Sequence, residues 1–142
     1  MHVQSITAVL PVDRIEPSIA FFDKLGFKSD VQVPEGDHIG FVILTHGDTQ
    51  LMYQTYTSIA DDSDGFDAIQ KDAPAAVYIV VKDIAAIAAA LEGYEVTIAR
   101  RKTFYGADEI GYREPGGHLI TFAQFPEEGA TEASNTENPG QD

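Results

Sequence analysis

The repeated order of predicted elements constrains the fold of this chain more than any other feature of its sequence. Apolar periodicity in the first half predicts a strand, a helix between Asp13 and Gly26, and then three more strands. The four strands lie at residues 6–12, 27–33, 39–44 and 50–56. The second half predicts the same order, with an Ala-rich helix at 84–91 and strands at residues 76–81, 94–99, 110–113 and 119–125. Each half is therefore a predicted βαβββ module, and the modules span residues 5–56 and 75–125.

The segments outside the modules are acidic. Residues 58–74 form a connector for which we predict about one helical turn. The tail at residues 126–142 has no aromatic residue and no Val or Ile, so we predict that it is disordered. This leaves a single domain over residues 1–125, which suits a chain of 142 residues.

Composition and charge exclude several classes of function. The net charge of −14 would repel phosphate backbones, so we do not expect a nucleic-acid partner. No apolar run approaches the roughly 18 residues that a membrane span needs, so we expect no membrane partner. The chain has no Cys, which rules out disulfides and thiolate chemistry. The first residues lack the pattern of a signal peptide, and we expect a cytoplasmic protein.

Two segments resemble motifs of a known family. Residues 9–27, VLPVDRIEPSIAFFDKLGF, are similar to a strand and helix ending in FY-x-x-x-LGF, and residues 104–124, FYGADEIGYREPGGHLITFAQ, are similar to a closing hairpin with DP-x-G at its turn. With the internal repeat, they resemble the glyoxalase / bleomycin-resistance / dioxygenase superfamily, also called the vicinal oxygen chelate superfamily. The resemblance implies an α+β fold, in which two βαβββ modules form a cupped mixed sheet with helices on the convex face. Glu114 and Gly116 depart from the motif, which usually has Asp at both positions.

The resemblance also implies where metal ligands would stand. Enzymes of the superfamily carry His, Glu or Gln at four strand positions, which here are Thr7, Met52, Ala76 and Thr121. None of these is a good ligand for a divalent metal, so we predict no metal and no cofactor. The four His residues fall at a terminus, a strand start or a turn, where we expect them to be solvated.

Strand alternation predicts which side chains line a ligand site. Phe41, Ile43, Met52 and Gln54 share one face of the first module, and Tyr112 is placed on the face of Thr121 in the second. The full predicted set of ligand-binding residues is Thr7, Phe41, Ile43, Met52, Gln54, Tyr78, Tyr105, Asp108, Tyr112 and Thr121. The alternative is that these side chains only fill the interior.

Two classes of function remain open. The first is a metal-independent protein that binds a small apolar or aromatic molecule, as in antibiotic sequestration, and works as a homodimer. The second is a lyase, isomerase or dioxygenase with a relocated metal site, or with a metal-free site at Tyr105, Asp108 or Tyr112. The acidic surface favours a neutral or cationic ligand, although the basic run at residues 100–102 leaves an anion possible.

Overall fold

A computed structural model describes residues 1–62 and 69–127 of the chain. The described chain divides into two compact units. The first unit consists of Met1–Ala75 together with Glu114–His118, and the second consists of Ala76–Arg113 together with the residues from Leu119 onward. Parts of the predicted connector (63–68) and of the predicted tail (128–142) lie outside the described residues.

The first unit contains one βαβββ module and one additional helix. Its elements are β1 (Val9–Val12), α1 (Glu16–Asp23), β2 (Lys28–Glu35), β3 (His38–His46), β4 (Thr49–Thr55) and α2 (Tyr56–Asp62). The sheet order is β1-β4-β3-β2, in which β1 and β4 are parallel and the other pairs are antiparallel. Helix α2 lies where the predicted connector begins. The Thr55 hydroxyl caps its first turn by accepting from the Ser58 backbone N–H at 3.1 Å.

The second unit repeats this topology. Its elements are β5 (Ala76–Val80), α3 (Ile84–Ala90), β6 (Glu95–Lys102), β7 (Asp108–Arg113) and β8 (Leu119–Gln124). The sheet order is β5-β8-β7-β6, again with one parallel pair, β5 and β8. The predicted class, α+β with two βαβββ modules built on mixed sheets, is confirmed. No helix in the described part of the chain is long and apolar enough to cross a membrane.

Each core lies between one helix and one face of its own sheet. In the first unit, Phe22 of α1 packs against Tyr53 with ring centroids 5.9 Å apart, and both side chains are fully buried. In the second unit, Ile84 of α3 is buried, and its backbone N–H donates to the Gln124 side chain on β8. Packing on one face only leaves the opposite face of each sheet free for function.

The loop between β7 and β8 differs from the prediction. The predicted strands at 110–113 and 119–125 leave the same five-residue loop, Glu114–His118, but this loop packs within the first unit. His118 is 2% exposed rather than solvated. Its ring accepts from the Ala75 N–H at Nδ1 and donates from Nε2 to the Pro11 carbonyl, at 2.9 and 2.7 Å. These two bonds hold His118 in the loop and keep it out of β8.

Candidate functional site

The open face of the first sheet, opposite α1, is mostly apolar. Strand register places Phe41 opposite Gln54 and Ile43 opposite Met52, so the prediction that these four share a face is confirmed. The apolar members of this face include Val9, Pro11, Val31, Val33, Phe41, Ile43 and Met52. Val9, Val31 and Val33 are 45%, 44% and 47% exposed. An apolar face this open is typical of a surface that binds something.

The polar groups of this face are engaged within the unit. Gln54 is 8% exposed, and its amide donates to the Ser58 hydroxyl at 2.9 Å and to the Asp62 carboxylate at 2.8 Å, both on α2. The Thr7 hydroxyl accepts from the Gln50 amide at 2.9 Å. A ligand on this face would therefore meet mainly apolar surface.

The open face of the second sheet, opposite α3, carries aromatic and charged groups. Register places Tyr78 beside Thr121, Glu109 opposite Ala123 and Gly111 opposite Thr121. Tyr78 and Val80 are 48% and 61% exposed. Tyr78 and Thr121 pair in the second sheet as Val9 and Met52 pair in the first. Tyr78 lies 69 positions after Val9, and Thr121 lies 69 positions after Met52, as expected for an internal repeat.

Two predicted site residues lie on the other face of the second sheet. Tyr112 pairs with Ile120, is 2% exposed, and packs edge-on against Phe122 at 6.0 Å. Asp108 has the same parity along β7 and pairs with Gln124. The prediction that Tyr112 shares the face of Thr121 is wrong because the five-residue loop pairs Tyr112 with Ile120 and Gly111 with Thr121, and neighbouring residues of a strand point to opposite faces. Burial also raises the pKa of Tyr112, which suits a core residue.

The same register places Glu109, which is not among the predicted site residues, on the open face. Its side chain is 2% exposed. The Tyr78 and Tyr105 hydroxyls donate to its Oε2 at 2.5 and 2.6 Å, and the Arg101 guanidinium donates to its Oε1 at 3.2 and 3.4 Å. We call these four residues, Tyr78, Arg101, Tyr105 and Glu109, the Glu109 cluster. The predicted strands at 110–113 and 119–125 already imply this register, so pairing the residues across the five-residue loop could have placed Glu109 on this face.

The electrostatics of the cluster favour an ionised carboxylate. Burial alone would raise the pKa of Glu109, but hydrogen bonds from Tyr105, Tyr78 and Arg101 outweigh it, and the pKa lies below its usual range. Desolvation, and then the bond to Glu109, raise the pKa of Tyr78, so its hydroxyl keeps its proton at neutral pH. Tyr78 is therefore a hydrogen-bonding group here and a poor general base.

Two residues of the basic run are already paired. Arg100 donates two hydrogen bonds of 3.1 Å to the Asp108 carboxylate, which lowers the pKa of Asp108. Arg101 is paired with Glu109. These pairs reduce the attraction of the run for an anionic ligand.

The residues at the four metal-ligand positions do not fit a metal. Within the first unit these are the Thr7 hydroxyl, already bonded to Gln50, and the Met52 thioether. Within the second they are the Ala76 methyl and the Thr121 hydroxyl. Zn²⁺, Fe²⁺ and Ni²⁺ are held by imidazole, carboxylate or thiolate groups, none of which is present there. Across residues 1–62 and 69–127, no three His, Asp or Glu side chains are grouped so as to hold an ion.

A family model describing the glyoxalase/bleomycin resistance protein/dioxygenase superfamily matches residues 2–122. The chain belongs to this superfamily. Solved structures agree with the fold at low sequence identity. TioX from Micromonospora sp. ML1 is 15% identical with a TM-score of 0.72, over 87% of this chain and 100% of that one. No curated protein sequence gives a significant match.

Two further structures of superfamily folds bear names that point to different functions. A bleomycin-binding protein, solved in complex with bleomycin, is 18% identical with a TM-score of 0.59, over 87% of this chain and 100% of that one. A lactoylglutathione lyase from Agrobacterium tumefaciens is 17% identical with a TM-score of 0.66, over 87% of this chain and 95% of that one. At these identities the likeness shows the shared fold and leaves the function to the residues of the site.

Proposed function

We propose that this superfamily member is a metal-independent binding protein that sequesters a small, partly aromatic molecule. The observation that carries the proposal is the exposure of apolar and tyrosine side chains on the open face of each sheet, with Tyr78 at 48% and Val33 at 47%. Contiguous apolar surface on a folded protein usually marks a binding site. Aromatic rings add stacking surface for a planar ligand.

We propose binding without a metal because of the residues at the four positions where superfamily enzymes carry metal ligands. Thr7, Met52, Ala76 and Thr121 offer two neutral hydroxyls, a thioether and a methyl group. Binding must then depend on burial, stacking and hydrogen bonds. The candidate ligand-binding residues are Thr7, Phe41, Ile43, Met52, Gln54, Tyr78, Tyr105 and Thr121. Strand register places six of them on the open faces, namely Phe41, Ile43, Met52, Gln54, Tyr78 and Thr121.

The charge of the chain supports a neutral or cationic ligand. The net charge is −14, and Arg100 and Arg101 are paired with carboxylates. Exposed tyrosine rings attract a cation over their faces by about 0.5–1 kcal/mol. An antibiotic of the bleomycin kind is therefore a suitable first probe.

We also propose a homodimer. Val9, Val31 and Val33 leave a row of exposed apolar side chains on the first sheet, and a second copy could cover part of it. Analytical ultracentrifugation at micromolar concentration should give twice the chain mass of 15.4 kDa. A monomer at that concentration would exclude the dimer.

A second candidate is a lyase, isomerase or dioxygenase with a metal-free site. The observation that favours it is the Glu109 carboxylate, held ionised beside Tyr105. An enzyme would change the ligand chemically, whereas a sequestering protein would return it unchanged. Chromatography of the ligand after prolonged incubation distinguishes the two.

The test of binding is a titration that follows tyrosine emission in excess EDTA. Bleomycin and smaller cationic or neutral aromatic molecules should quench the emission saturably. Tyr78→Ala should weaken the binding several-fold. Tyr56→Ala should not, and it removes a ring whose centroid lies 5.5 Å from Lys71 Nζ. If no compound binds saturably, or if binding requires an added metal, the proposal fails.

A further inference from the structure

The two tyrosine hydroxyls of the Glu109 cluster both donate to one carboxylate oxygen. Tyr78 and Tyr105 reach Oε2 of Glu109 at 2.5 and 2.6 Å. Arg101 binds the other oxygen, Oε1. The carboxylate itself is 2% exposed, so a ligand on this face would touch the tyrosines rather than Glu109.

This arrangement fixes what the tyrosines can offer a ligand. A phenol has one hydrogen to donate, and its oxygen can also accept. Here each hydrogen is held by an ionised carboxylate, which makes a strong, charge-assisted bond. With its hydrogen held by Glu109, each hydroxyl oxygen can only accept a hydrogen bond from a bound molecule.

Flat apolar surface surrounds these acceptors. The rings of Tyr78 and Tyr105 are about half exposed, at 48% and 45%. Tyr105 packs edge-on against Phe104 at 5.0 Å and lies 6.3 Å from Phe125. Hydrogen bonding and packing together hold the rings in place before a ligand arrives, which lowers the entropy cost of binding.

We propose that the Glu109 cluster selects flat aromatic molecules that carry an N–H donor on their edge, and discriminates against molecules that offer only an acceptor. This inference rests on the proposed small-molecule binding and adds the ligand chemistry. Glu109 acts as a positioning residue because it sets the direction of both hydroxyl hydrogens without touching the ligand.

The alternative is that the cluster only braces the β6–β7 hairpin against β5. The substitution Glu109→Gln separates the two possibilities. Arg101 donates to Oε1, so the amide oxygen should take that place and the amide N–H₂ should face the two tyrosines. The amide would then donate to both phenol oxygens, and both hydroxyl hydrogens would turn toward the ligand.

The experiment measures binding of indole and quinoline at about pH 8 by amide chemical shifts of β5 and β8. Both probes are neutral, fused bicyclic molecules, but indole only donates whereas quinoline only accepts. Wild type should bind indole about 2- to 10-fold more tightly, as expected for one net hydrogen bond. Glu109→Gln should reverse the preference. Asp108→Asn, the same chemical change on the neighbouring carboxylate and the opposite face, should leave it unchanged.

Tyr105→Phe provides a second variant should Glu109→Gln fail to fold. It removes one of the two acceptors from an exposed position. The ratio of the dissociation constants for quinoline and indole should then move toward one. The inference is overturned if wild type binds neither probe or shows no preference for indole. The inference is also overturned if the preference for indole is unchanged in Glu109→Gln, or in Tyr105→Phe if only that variant folds. Either result would favour a purely structural role for the cluster. The titration with bleomycin in EDTA then tests the proposed function separately, since it does not depend on this preference.

Discussion

The buried carboxylate of Glu114 should contribute strongly to the stability of the first unit. It is 1% exposed and accepts three hydrogen bonds, from the Ser18 hydroxyl at 2.7 Å and from the backbone N–H groups of Gly116 and His118 at 2.8 and 3.0 Å. Bonds to a charged acceptor are worth about 1.5–3 kcal/mol each, and their losses do not add fully. We therefore expect Glu114→Ala to lower the free energy of unfolding by about 3–5 kcal/mol.

Urea unfolding followed by far-ultraviolet circular dichroism measures this loss. With a slope of about 1–3 kcal/mol per molar urea, the midpoint should fall by about 1–5 M. Ser18→Ala removes one of the three bonds and should cost about 1–2 kcal/mol. Glu92→Ala is the control, an exposed carboxylate expected to change stability by no more than about 0.5 kcal/mol. A loss below about 1 kcal/mol in Glu114→Ala would refute the reasoning.

Three further predictions concern other positions. Gly116→Ala should cost more than about 2 kcal/mol in urea unfolding, because a Cβ there would lie 2.6 Å from Val12 Cγ1; a wild-type midpoint would contradict this. Hydrogen bonds that the His38 ring donates to Asp37 and Glu35 raise its pKa above the ordinary value of 6.5. The stability that protonated His38 contributes to the fold is therefore fully present below pH 6.5 and is lost as the pH rises through the raised pKa. Wild type should lose more stability than His38→Gln between about pH 6 and pH 8, and parallel pH profiles would argue against this. Tyr112→Ala should lower the free energy of unfolding by about 3–5 kcal/mol because it empties a core position, and a midpoint within error of wild type would show that Tyr112 is not buried.

The order of elements and the face of the first hairpin could be predicted from the sequence. The turn between β3 and β4 has two central residues, Gly47 and Asp48, with Gly47 at φ +60°. A turn this short permits few registers, so alternation correctly places Phe41 and Met52 on the open face.

The face of the last hairpin could have been predicted in the same way, because the predicted strands at 110–113 and 119–125 leave the observed five-residue loop. The burial of His118 could not be predicted, because its ring is held by partners distant in sequence, at Pro11 and Ala75. No local pattern encodes such bonds. Pairing residues across the five-residue loop places Tyr112 in the core and Glu109 on the open face.

Binding without a metal is the central claim, and a native mass spectrum of the purified protein tests it most directly. The spectrum should be recorded without chelator, first alone and then with bleomycin and with smaller aromatic amines. We predict a mass with no bound transition metal, and a saturable increase of one ligand mass per site when a suitable compound is added. A stoichiometric transition metal on each chain, or the absence of any ligand adduct across the series, would contradict the account.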